Sequence, residues 1–191
     1  MTPLNDTDFA VLNAAHLNKM AGPASIAAAT QLDQGTVDEV LDRAQQNGLG
    51  QKTGNQFLIF PDGSKAVLEY YDRTYGELRD SDELGAWYER FETVNTQFIQ
   101  HITDWQNTGG DEGVEAKLIK TVNRHVRAVE KLLPQIPRYE QYVRRFHEAI
   151  SKVDRGETDF VCKPTVDSIH NIWFEFHEDI LSVLGRPRDT T

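Results

Sequence analysis

Apolar residues recur every three or four positions along most of this chain, and one short stretch near residue 55 abandons that period for strand-like runs. The segment DTDFAVLNAAHLNK sets Phe9, Leu12, Ala15 and His16 on one stripe behind an Asp or Thr cap, which predicts a first helix. In GPASIAAATQL, Pro23 suits a first helical turn and Ile26, Ala27 and Thr30 form a compact face, so a short second helix is expected. A turn at Asp33, Gln34 and Gly35 leads into TVDEVLDRAQQNGL. There Val37, Val40, Leu41 and Ala44 are spaced to face a core, and Gly48 is placed as a stop. The aperiodic stretch GLGQKTGNQFLIFPDG reads as a hairpin turning at Thr53, Gly54 and Asn55, with Phe57, Leu58, Ile59 and Phe60 in the returning strand. Helix resumes in PDGSKAVLEYYDRTYGEL.

From Ser81 the helical period is uninterrupted except by breakers. Leu84, Trp87, Phe91, Phe98, Ile102 and Trp105 mark one long amphipathic helix that ends at Thr108, Gly109 and Gly110. Val114, Leu118, Val122, Val126 and Val129 mark a second, closed by Pro134 and Pro137. A third runs from about Arg138 to Gly156. Pro164 is placed to start a fourth, whose apolar set includes Val166, Ile169, Ile172, Trp173, Phe176 and Ile180 before Gly185 and Pro187. Short connections between four such helices predict an antiparallel bundle or a helical dimerisation domain.

Helix, helix, turn, helix, hairpin, helix is the order of a winged helix-turn-helix domain. Across residues 7–71 the chain resembles the winged-helix bacterial regulators of the MarR type: TVDEVLDRAQQNGL resembles their recognition helix with its Gly-Leu exit, and FLIFPDGSKAVLE their strand followed by a helix start. The resemblance implies that residues 1–76 form a winged helix of three helices and a small β-hairpin. The helical period of residues 77–191, outside the resemblance, predicts a four-helix-type domain for dimerisation or ligand sensing, so that the expected fold is mainly α in two parts. The resemblance further implies a transcriptional regulator, a homodimer, whose DNA contacts come from Gln34, Thr36, Asp38, Glu39, Arg43 and Lys52.

Charge complicates that expectation. The formal net charge is −10, and residues 1–76 carry more acids than cations. Affinity for nucleic acid rests largely on Lys and Arg displacing counterions from phosphates. Asp38, Glu39 and Asp42 on the outward face would repel a backbone, although one carboxylate can read a cytosine amino group. The wing KTGNQ offers Lys52 where MarR-type wings carry an Asp-x-Arg signature. The alternative use of such a domain is as a non-catalytic adaptor, its acidic helix contacting a protein partner.

The second half of the chain holds five histidines: His101, His125, His147, His170 and His177. The pairs His101/Asp104 and Asp167/His170 stand at i, i+3 and are the candidates for an N/O metal site in a less expected metal-dependent bundle enzyme, though no metal or other cofactor is assigned. Trp105, His125, His147, His170 and Trp173 are the candidates for a small-molecule effector pocket with aromatic walls and imidazole anchors. No phosphate-binding glycine loop, nucleophile elbow, Cys-x-x-Cys pair or His-Glu-x-x-His motif occurs, so no catalytic residue is assigned and an enzyme is not expected. The lone Cys162 cannot form an internal disulfide, and no stretch reaches the roughly 18 to 20 apolar residues of a membrane span. A cytoplasmic protein with no membrane partner is the expectation.

Overall fold

The computed structural model describes residues 3–187, which are mainly helical with one small antiparallel sheet. They fall into two compact units. One is made of residues up to Asp80 together with those from His177, the other of Ser81–Phe176. The first boundary thus lies after Asp80, not after residue 76, and the second half of the final helix belongs to the first unit.

The first unit opens with α1 (Asp6–Asn18), β1 (Met20–Ala21), α2 (Pro23–Thr30) and α3 (Gln34–Gln46), followed by β2 (Gly50–Thr53), β3 (Gln56–Ile59) and α4 (Pro61–Arg79). Asn5, not Asp6 or Thr7, caps α1: its Oδ1 accepts from the Asp8 amide at 2.8 Å, satisfying a donor the helix cannot. Asp33 does the same for α3, accepting from the Thr36 amide at 3.0 Å. The four positions spaced toward a core, Val37, Val40, Leu41 and Ala44, are all buried. The expected hairpin forms, with Lys52 opposite Phe57 and Gly54 at φ +58 in its turn. Two residues of β1 add to β3, pairing Ala21 with Phe57 and giving the strand order β1–β3–β2. Gly63 lets the start of α4 pass the exit of α3, because a Cβ there would lie 2.2 Å from the Leu49 carbonyl oxygen.

The core of this unit is aromatic and carries one polar chain. Phe9 stacks on Tyr70 at 3.8 Å and meets Tyr71 edge-on. The buried Tyr71 hydroxyl donates to Asn13 Oδ1 at 2.9 Å, and Asn13 Nδ2 donates to Asp179 Oδ2 at 3.3 Å. Arg79 closes the unit: its guanidinium donates to the Val183 and Ser182 carbonyls at 2.8 and 3.0 Å and pairs with Asp72 at 2.6 Å. A cation at a helix C-terminus meets carbonyls that have no helical donor.

The second unit contains α5 (Asp82–Thr108), α6 (Glu112–Glu130), a 3-10 turn at Pro137–Tyr139, α7 (Glu140–Val153), α8 (Asp159–Cys162) and the first half of α9 (Ile169–Leu184). Ser81 and Asp111 cap α5 and α6, and Gly109 at φ +68 ends α5 as its sequence predicts. Pro164 does not start the last helix. It lies in a turn, and the Asn171 side chain donates to the carbonyls of Lys163, Pro164 and Val166, holding that turn until α9 begins at Ile169. No described helix is long and apolar enough to cross a membrane.

Candidate functional site

Trp87, Phe91 and Val94 recur on one stripe of α5, and Thr121, His125 and Ala128 on the facing stripe of α6. The two stripes line a groove of about 630 Å³, within the range of small-molecule sites. One end is latched. As α6 closes, the Leu132 amide turns to the Val129 carbonyl at 2.8 Å, and Trp87 Nε1 donates to the Ala128 carbonyl at 2.9 Å. About three turns of α5 further on, Arg124 donates to Gln97 across the helix pair.

His125 is 1% exposed and forms the inner wall of the groove. Its ring stands 4.3 Å from Trp173, 4.7 Å from Phe176 and 5.2 Å from Phe91. Behind it, Phe98 stacks on Trp173 at 3.9 Å, and Trp173 Nε1 donates to the buried Asn95 Oδ1 at 2.9 Å. The aromatic wall is therefore held by packing and by a satisfied indole, which fixes the ring positions.

The rim is cationic. Lys120, Arg124, Arg127 and Lys131 follow one another along α6 at i, i+4, i+7 and i+11, and Arg90 faces them from α5. All five are exposed, and none forms an ion pair among the described residues.

Of the five residues expected to form a pocket, His125 and Trp173 are brought together, and His170 reaches the same stack through Phe98 at 6.4 Å. Desolvation lowers the His170 pKa from its ordinary value, although its outer edge is exposed. Trp105 instead lies in the last turn of α5 beside Gly110, and His147 is exposed on α7. The metal candidates are not assembled, and no group of three or more His, Cys, Asp or Glu residues able to hold an ion occurs among the described residues. Asp104 accepts from Gln100 at 2.8 Å. Asp167 is gripped by Arg145, whose Nε and Nη2 donate to its two oxygens at 3.0 and 2.6 Å while Nη1 reaches Glu175 at 2.7 Å.

The residues expected to meet DNA lie on α3 and the hairpin. Gln34 and Glu39 are exposed, and Thr36 and Asp38 are half-buried. Thr36 is engaged by its cap, its hydroxyl donating to Asp33 Oδ2 at 2.5 Å. Arg43 pairs with Asp8, and Lys52 Nζ with Asp42 at 2.7 Å. Both cations of this face are thus already met by carboxylates.

The chain matches no protein-family model, no curated protein and no solved structure. Its own geometry is what bears on function. The cations around the groove escaped the sequence reading, yet their signal was present: a Lys/Arg stripe at helical spacing in an acidic chain, flanking the apolar stripe of Leu118, Val122 and Val126.

Proposed function

We propose that the protein is a regulator whose first unit is a winged helix-turn-helix and whose second unit accepts a small-molecule effector. The observation that carries the reading is the order α1–β1–α2–α3–β2–β3 with strand order β1–β3–β2, in which α3 follows a tight turn from α2 and presents a polar outward face. A helix in that position can enter a major groove, with Gln34, Thr36, Asp38 and Glu39 near base edges and Arg43 and Lys52 near phosphates. As a homodimer, two copies would address half-sites about one helical turn apart. Effector and DNA affinities would then be linked, each changing the other by the same factor.

A second reading is favoured by the Arg43–Asp8 and Lys52–Asp42 pairs, which spend the cations of this face internally and leave Asp38 and Glu39 unopposed. On that reading α3 meets a basic protein surface, and the protein is a non-catalytic adaptor. Titration of the purified chain against genomic DNA fragments at low and moderate salt separates the two. Selective, salt-sensitive binding that strengthens in Asp38→Asn/Glu39→Gln supports the regulator; absence of binding in both proteins at low salt overturns it.

A further inference from the structure

Charge is segregated along α6. Lys117, Lys120, Arg124 and Arg127, with Lys131 at the C-cap, follow one another at i, i+3, i+7, i+10 and i+14. At 3.6 residues per turn and 1.5 Å per residue, they occupy an arc of about 80° over about 21 Å. The acids of the helix, Glu112, Glu115 and Glu130, stand about 60° or more outside that arc. All five cations are exposed, and none forms an ion pair among the described residues. Arg124 donates to the neutral Gln97, and Arg127 Nε to the Asn123 carbonyl at 3.2 Å; these bonds orient the guanidinium groups without cancelling their charge. Like charges three and four residues apart repel along a helix, so the stripe is a cost to α6 itself.

The rings beside the stripe narrow what it can hold. Trp87, Phe91 and His125 are only 6%, 3% and 1% exposed, so they offer a protein partner no aromatic anchor and an unpaired base no face to stack on. What the surface presents is a straight row of positive charge. We infer that the α6 stripe binds the phosphodiester backbone of a nucleic-acid duplex. Backbone affinity comes from cations releasing counterions and needs neither apolar anchors nor unstacked bases. The guanidinium groups of Arg124 and Arg127 match two phosphate oxygens at a time, and the lysines act as point charges. The net charge of −10 does not forbid the contact, because acids farther off than about 8 Å are largely screened at physiological salt while touching groups are not. The inference rests on nucleic acid being the partner, as in the proposed function, but it assigns phosphate contacts to a surface other than α3, where Arg43 and Lys52 are already paired.

The test is fluorescence anisotropy of a labelled DNA duplex titrated with the full chain across a salt series. Five neutralised phosphates at about 0.9 each give a log–log slope of about −4 to −5, a loss of about 500-fold between about 50 and 200 mM salt. Lys120→Gln, Arg124→Gln and Arg127→Gln should each flatten that slope by about 1 with an unchanged circular dichroism spectrum, whereas Lys163→Gln, outside the stripe, should leave it as it is. No binding at the lowest salt, a slope indifferent to the stripe variants, or equal flattening by Lys163→Gln overturns the inference. So does poly-glutamate that competes at equal charge, which would make the stripe a seat for an acidic protein, or a single strand that binds more tightly than the duplex. The two surfaces are read separately. Loss confined to the stripe variants, with Asp38→Asn/Glu39→Gln unchanged, sustains α6 and sinks α3 as the DNA-reading helix; strengthening in Asp38→Asn/Glu39→Gln, with the stripe variants at parent level, does the reverse.

Discussion

Replacing Arg145 by Leu tests whether the second unit is held by a charge network whose members are unequally dependent on one another. Arg145 is 3% exposed and holds two carboxylates of different exposure: Glu175 is 8% exposed, whereas the Asp167 side chain is 45% exposed. Burial of the guanidinium opposes its charge, yet the Asp167 and Glu175 contacts outweigh that cost and raise its pKa above the ordinary arginine value. Removing the arginine leaves Asp167 to water and Glu175 as a buried carboxylate without its cation. Breaking a buried pair in this way costs about 3–5 kcal/mol. Glu175→Leu leaves Arg145 its bidentate partner, so its cost should be nearer 1–2 kcal/mol, the range for losing one hydrogen bond to a charged group. In Arg145→Leu/Glu175→Leu no buried charge remains from the pair, and the double variant should be more stable than Arg145→Leu alone by about 1–3 kcal/mol. Urea unfolding followed by circular dichroism and tryptophan fluorescence reads all three values, the second probe favouring this unit because Trp87, Trp105 and Trp173 all lie in it. Equal costs for the two single variants, with additivity in the double, would refute the reasoning.

Three further outcomes follow from the first unit. Desolvation, reinforced by its hydrogen bond to Asp6 at 2.9 Å, pushes the Tyr70 phenol up to about 12. Alkaline titration at 295 nm should lose one late-ionising phenol in Tyr70→Phe relative to the parent chain, and because the unfolded phenol ionises near 10, stability present below that pH is lost as pH rises toward about 12. Burial, then Lys19, lowers the His16 pKa from 6.5 against the opposing pull of Asp179, so its contribution is present above that value and lost as pH falls below it. Lys19→Met should move the imidazole NMR midpoint upward, and no movement would remove Lys19 as a cause. Gly63→Ala forces a methyl group into the Leu49 carbonyl and should cost about 1–3 kcal/mol in thermal or urea unfolding, with a near-neutral change refuting that close approach.

The elements that sequence reading located are those whose apolar spacing is long and whose ends carry breakers. Val37, Val40, Leu41 and Ala44 announce α3, and Gly109 announces the end of α5. What it missed depends on contacts distant in sequence. The two residues of β1 have no period of their own and are strand only because β3 supplies a partner. Pro164 is compatible with a helix start, and only the Asn171 amide, bonding back to three carbonyls, decides for a turn. The site divides in the same way. His125 and Trp173 could be nominated from composition, but that Phe98 intervenes before His170 and that His147 faces outward required the packing. The fate of Arg43 and Lys52 could not be read from spacing either, since Asp8 is far from Arg43 in the chain.

The participation of α9 in the first unit bears on the order in which the protein can be completed during synthesis. Asn13 needs Asp179, and Arg79 needs the carbonyls of Ser182 and Val183, before their polar groups are matched as they are in the finished molecule. A ribosome that has released residues 1–80 has therefore delivered the sheet and four helices but not the anchors for Asn13 and Arg79. Those arrive only after the whole of Ser81–Phe176 has been made. Domains that are contiguous in sequence can fold one after another as they emerge. Here the unit begun first is the last to be closed, and a nascent chain stalled within α7 would expose that unfinished core to proteases and chaperones.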